Sequence, residues 1–129
     1  MILDTTFIID LLNNDPSAVD KAKYLEKANL PVFTTAVTVF EIWQGTSDIK
    51  SKQKLDNINT LLESLGLLDL DLESAKIGGK LHSELYAQGN PIQPEDSMIA
   101  GICIKNNKKL LTRNIKHFSK IKKLQIETY

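Results

Sequence analysis

Short apolar runs recur along this 129-residue chain at 1–3, 30–34, 67–70, 109–112 and 124–126, separated by stretches with helical spacing. That alternation limits the fold more than any other feature. Strands separated by helices favour a parallel sheet, because each crossover lays a helix on a face of the sheet. Open sheets of this kind bind ligands in crevices outside the carboxyl ends of their strands. Polar residues that follow a strand or open a helix at that edge are therefore the first candidates for function.

Local signals place the elements. Met1-Ile2-Leu3 reads as a buried strand ending at Asp4. Thr5 and Thr6 precede a helical run from Phe7 to Leu12, which Asn13-Asn14-Asp15-Pro16 ends, since proline opposes helix in the residue before it. Ser17 is a suitable cap for a helix from Ala18 to about Ala28, with Asn29 as its break. The second strand, Leu30–Thr34, carries Pro31 near its start, where a missing N–H does least harm. Thr34 or Thr35 caps a helix to Gln44, and Gly45 stops it. Asp48–Leu65 has an apolar stripe of Leu55, Ile58, Leu61, Leu62 and Leu65. After a third strand, Asp71 caps a long helix to about Gln88. Pro94-Glu95-Asp96 opens the next, in the position proline and acids favour. Asn114 starts a short helix after the fourth strand, and Leu124-Gln125-Ile126 is a candidate fifth.

The length suits one domain, residues 1–129, with no linker, repeat or low-complexity segment. No apolar run approaches the roughly 20 residues of a membrane span, and Met1-Ile2-Leu3-Asp4 lacks the basic start of a secretory signal. The single cysteine, Cys103, lies in an apolar run and reads as a reduced core thiol of a cytoplasmic protein. Net charge is zero but unevenly placed. From residue 101 onward Lys105, Lys108, Lys109, Arg113, Lys116, Lys120, Lys122 and Lys123 face one acid, Glu127. That segment carries +7 and the first 100 residues −7. A basic end on an acidic body points to a polyanion or an acidic partner, with a solvated lysine surface as the plain alternative.

Four polar residues from separate segments reach the same sheet edge. Asp4 follows the first strand and Asn114 the fourth. Asp96 sits in the first turn of the helix feeding that fourth strand. Glu41 lies about 10 Å along its helix from the start, and its side chain leans back toward the strand ends. Each has an ordinary account of its own: a helix cap for Asp4 and Asn114, a first-turn acid for Asp96, an exposed helical acid for Glu41. Four arrivals at one edge are harder to explain that way. Three acids with no His or Cys cluster suit a hard divalent cation, Mg²⁺ or Mn²⁺, and a cation so held commonly works on phosphate. The residues thus read as a metal-dependent phosphodiesterase.

The segments Ile2-Leu3-Asp4-Thr5-Thr6, Thr38-Val39-Phe40-Glu41, Pro94-Glu95-Asp96-Ser97-Met98-Ile99-Ala100 and Leu111-Thr112-Arg113-Asn114-Ile115-Lys116-His117-Phe118 resemble the PIN-domain ribonucleases, most closely the VapC-type toxins of prokaryotic toxin–antitoxin pairs. The resemblance spans essentially the whole chain. It implies a three-layer α/β/α fold with a central, mostly parallel five-stranded sheet. It implies Mg²⁺- or Mn²⁺-dependent endonucleolytic cleavage of RNA leaving a 5′-phosphate, a homodimer, and a small antitoxin that covers the site. Asp4, Glu41 and Asp96 match the metal-binding acids. Asn114 stands where many relatives carry a fourth acid, which puts a complete second metal site in doubt. Thr6 matches a supporting position near the metal, and Arg113 with nearby lysines is a candidate for RNA phosphates.

Weaker signals have bland readings. His82 and His117 lack the partners a zinc site needs. Gly78-Gly79, inside a helical pattern, reads as close helix packing, with a dimer interface as one setting. Phe40 and Trp43 read as core. Ser97 has no base beside it for nucleophilic chemistry. Two competing classes remain: a catalytically weak PIN-like binding or scaffold module, which intact acids oppose, and a phosphoryl-acceptor domain, which would want a second acid beside Asp4.

Overall fold

The computed structural model describes residues 1–129. Its elements run β1 (Ile2–Leu3), α1 (Thr5–Leu12), α2 (Pro16–Lys27), β2 (Phe33–Thr35), α3 (Ala36–Gln44), α4 (Lys52–Ser64), β3 (Gly66–Leu68), α5 (Leu72–Ala87), α6 (Pro94–Lys105), β4 (Leu110–Leu111), α7 (Ile115–Phe118) and β5 (Ile126–Glu127). All four strand pairings are parallel, in the order β3-β2-β1-β4-β5. The chain adds strands to one side of β1 and then crosses to the other. The order therefore reverses between β1 and β4, and at such a switch point the two connecting segments diverge and leave a crevice at the strand ends.

Alternation along the strands divides the core. Ile2 and Leu110 pack into one apolar cluster with Ile99, Ile102, Cys103 and Phe118. Their neighbours Leu3 and Leu111 point the other way, into a second cluster with Phe7, Ile8, Leu25 and Ile58. Both faces of the sheet are thus covered by helices, as the apolar runs required. Fully buried side chains such as Phe7 and Phe118 each contribute about 1.5–3 kcal/mol. No helix is long and apolar enough to cross a membrane.

Helix ends follow the expected chemistry with shifted details. The aspartate before Pro16, not Ser17, caps α2: Asp15 accepts from the Ala18 N–H at 3.1 Å. Proline takes the first helical position, where its missing N–H costs nothing. Thr35 caps α3 through Thr38 N–H, and Ser51 caps α4, which starts at Lys52 and not at Asp48. Asn14, Asn29, Asn107 and Gly89 all have positive φ just past a helix end, the left-handed conformation that closes helices.

One expectation needs correction. Phe40 and Trp43 are not core: they are 62% and 46% exposed, because α3 turns Val37, Thr38 and Ile42 inward and leaves the opposite face to solvent. Gly66 opens β3, and a Cβ there would strike the Phe33 ring. The close helix packing expected at Gly78-Gly79 is found at Gly78, between α5 and α6 of this chain. A Cβ on Gly78 would sit 2.7 Å from the Ser97 carbonyl oxygen, and one on Gly101 would overlap the Ser74 carbonyl oxygen and lie 2.8 Å from Gly78 N. Gly78 and Gly101 let the backbones of α5 and α6 touch, while Gly79 faces open space.

Candidate active site

Asp4 leaves β1 at the switch point and is only 3% exposed. It occupies the cap position of α1, yet its side chain makes no capping hydrogen bond. Its Oδ2 instead accepts from the hydroxyls of Thr6 at 3.0 Å and Thr112 at 2.6 Å. Thr112 follows β4 and also accepts from Asn114 N–H at 2.9 Å. One buried hydroxyl therefore joins the two strands whose divergence makes the crevice. Both contacts fall on Oδ2. Since no buried side-chain oxygen or nitrogen lacks a partner, Oδ1 reaches solvent.

Glu41 and Asp96 repeat the pattern. Glu41 reaches back from α3, and its Oε1 accepts from Thr5 Oγ1 at 2.8 Å, a hydroxyl also 3.3 Å from Thr38 Oγ1. Asp96 projects from the first turn of α6, and its Oδ2 lies 3.0 Å from His117 Nδ1. Asn114 takes the cap position of α7 without a side-chain cap bond; its amide nitrogen is 2.8 Å from the same ring nitrogen, which can accept from Asn114 or donate to Asp96 but not both. Each of the three acids thus has one oxygen held by the protein and one without a protein hydrogen bond.

The acids share one electrostatic region. Burial, first of all, raises the Glu41 carboxyl above its usual range, and the charges of Asp4 and Asp96 raise it further against the Thr5 hydrogen bond. Burial likewise raises Asp96, opposed by the His117 hydrogen bond and reinforced by Asp4. Neither carboxylate has a cationic side chain to neutralise it apart from the His117 ring. Such crowding is what a cation would relieve.

A divalent cation fits the donor chemistry, since the open atoms are all hard carboxylate oxygens. No group of three or more His, Cys, Asp and Glu side chains stands close enough to enclose an ion directly. The arrangement suits an ion that keeps several waters and takes one or two carboxylates, as Mg²⁺ commonly does.

Arg113, a candidate for phosphate, is committed elsewhere. Its guanidinium lies 3.1 Å from Asp10 and 3.2 Å from Asp15, over the Tyr129 ring at 4.7 Å. Tyr129 in turn donates to Asp10 at 2.6 Å. This clamp ties the turn after β4 and the C-terminus to α1 and α2. The sequence reading missed the clamp and the hydroxyls of Thr5 and Thr112. It also left His117 without a role, although its place in the Arg113-Asn114-Ile115-Lys116-His117 segment was the available signal. His82 packs between α5 and α6, 2.7 Å from the Ser97 hydroxyl.

Residues 1–124 match the PIN domain family. The chain belongs to it. A tRNA(fMet)-specific endonuclease VapC of Shigella flexneri is 27% identical, covering 99% of this chain and 96% of its own. Ribonuclease VapC2 of Rickettsia felis is 28% identical over the same shares. Among solved structures, VapBC2 of Rickettsia felis bound to a promoter DNA fragment superposes with a TM-score of 0.88 at 28% identity, covering 99% of this chain and 97% of that one. DNA-bound VapBC of Salmonella typhimurium gives 0.86 at 26% identity, covering 98% and 96%. The parallel five-stranded sheet between helical layers is the fold that the PIN resemblance implied.

Proposed function

We propose that this PIN domain is a VapC-type endoribonuclease that cleaves RNA phosphodiester bonds to leave a 5′-phosphate. The observation that carries the reading is the set of three acids, after β1 and on α3 and α6, each with one oxygen held by a protein hydrogen bond and one without. The full-length relatives named as VapC nucleases support the same reading.

In this reading the chain positions charge. Thr6 and Thr112 hold Asp4 in place, Thr5 holds Glu41, and His117 holds Asp96. A bound Mg²⁺ or Mn²⁺ supplies Lewis acidity toward a phosphoryl oxygen and toward water. Asp4 and Asp96 would hold the ion directly, and Glu41 would hold it through water or orient the attacking water. Asn114 contributes no charge, which favours one tightly held cation over two. Water adds at phosphorus, the bond to the 3′-oxygen breaks, and the phosphate stays on the 5′ end of the downstream fragment.

The resemblance extends this to a cytoplasmic homodimer neutralised by a small antitoxin. The test is incubation with a panel of structured and single-stranded RNAs in Mg²⁺, Mn²⁺ or EDTA. Cleavage with 5′-phosphate ends in either cation, abolished by EDTA, is expected. Cleavage that survives exhaustive chelation refutes the metal reading. Light scattering checks the dimer, and growth arrest relieved by a co-expressed neighbouring small protein checks the antitoxin.

A further inference from the structure

We infer that a second, basic groove beside the acid crevice holds the RNA backbone beyond the scissile bond. The inference rests on the RNA-cleaving reading above. The groove has a volume of about 490 Å³ and lies between the C-terminal part of α5 and the segment after α7. Lys80, Lys120, Lys122 and Lys123 line it, over apolar side chains that include Leu81 and Ile121. The α5 residues lining it run from Ile77 to Gln88, about 16 Å along the helix.

Most other bases near the C-terminus are engaged, while Lys116 on α7 is likewise without a carboxylate partner. Lys105 pairs with Asp71, Lys109 with Glu127, and Arg113 with Asp10 and Asp15. Lys108 lies over the Phe33 ring. None of Lys80, Lys120, Lys122 and Lys123 has a carboxylate within ion-pair distance, and Glu84 is the one acid lining the groove. Four unpaired ammonium groups in a concave site create a positive potential that a polyanion relieves.

The position favours RNA over an acidic protein segment. Lys120 stands three residues after His117, which touches Asp96, and its Nζ donates to the Pro91 carbonyl at 3.3 Å, just before α6 begins. One end of the groove, at Lys120 and Gln88, thus lies toward the start of α6, the helix that carries Asp96, and the groove runs from there toward Ile104 near the other end of that helix. A strand whose scissile phosphate lay in the crevice would enter the groove at the Lys120 end. The acids repel a polyanion on their own, so cationic holding groups nearby offset that repulsion.

The wild-type chain in EDTA, titrated with a fluorescent single-stranded oligoribonucleotide at several salt concentrations, tests the inference without requiring cleavage. Failure of the nuclease reading would show in the EDTA and acid-variant assays, not here. A Lys80→Gln, Lys122→Gln, Lys123→Gln variant spares Lys120 and its hydrogen bond. If each lysine meets a phosphate, the slope of log affinity against log salt becomes shallower by about 0.7 per lysine, or about 2 in all. Arginine at the same three positions should restore it, and melting should not change. Unaltered slope and affinity would overturn the inference and leave a solvated lysine surface. It also fails if poly-L-glutamate binds with this lysine dependence and RNA does not. A changed oligomeric state in the variant would mark the groove as an interface between copies, and the inference would fall.

Discussion

Asp4→Asn separates catalysis from architecture, because the asparagine carbonyl oxygen can take the place of Oδ2 and accept from both Thr6 and Thr112. The remaining energetic changes are small and opposed. Loss of a negative charge at the start of α1 costs about 0.3–1 kcal/mol. Relief of the repulsion that raises Glu41 and Asp96 offsets it. Net stability should stay within about 1 kcal/mol. For a chain of this length, at an unfolding entropy of about 2.1 cal/mol/K per residue, that is about 4 °C in Tm. Cleavage should fall by about 10²–10³-fold, the usual effect of removing one preorganised electrostatic group. Scanning calorimetry in EDTA and initial-rate RNA cleavage in Mn²⁺ measure both. A Tm loss well above about 4 °C with cleavage intact would refute the reasoning and return Asp4 to a structural role.

Asn114→Asp should raise cation affinity in a calorimetric titration and lower apo stability, since an added carboxylate increases both attraction and repulsion; no change in either would place Asn114 outside the cation's reach. Gly101→Ala should destabilise by about 1–3 kcal/mol or more by forcing α5 and α6 apart, seen as a lower denaturation midpoint, with Gly79→Ala near neutral as the control. Because folded Glu41 and Asp96 hold their protons to higher pH than the unfolded chain does, apo stability should fall as pH rises from the ordinary carboxylate range through their raised values. Melting across that range should show the loss reduced by Mn²⁺ at neutral pH and flattened in Glu41→Gln. Arg113→Ala should lower the melting midpoint slightly through the loss of an exposed ion-pair network and leave RNA affinity nearly unchanged, checked by melting and by anisotropy.

The fold was legible because its signals are local. Apolar runs mark strands, Thr35 and Asp71 cap helices through short-range bonds, and asparagines at 14, 29 and 107 close them. The direction of Asp4, Glu41 and Asp96 toward one edge follows from element order alone. Contacts across about a hundred residues were not legible. Thr112 and Asp4 are ordinary residues until the sheet pairs β1 with β4 and brings one hydroxyl onto one carboxylate. Arg113 showed only its charge, and that charge suits phosphate as well as it suits Asp10 and Asp15. Gly101 sits in an apolar helix where nothing local announces that α5 will press against it. Phe40 and Trp43 carried the composition of core residues, and only the phase of a short helix placed them outside.

The three acids are not equivalent, and the difference follows from where the fold places them. Asp4 is the most buried and has two hydroxyl donors on one oxygen, so its position is fixed by the strands themselves. Glu41 and Asp96 come from α3 and α6, helices that touch each other, with one hydrogen-bond partner each and raised pKa values dominated by burial. A cation drawn to this edge would meet one rigid carboxylate and two that gain from its arrival. Binding would then tighten α3 and α6 against β1, coupling occupancy of the site to the packing of its walls. The substitution at Asn114 fits that economy of charge. With an amide at this position instead of a fourth carboxylate, the crevice avoids one more like charge beside Asp4 and Asp96.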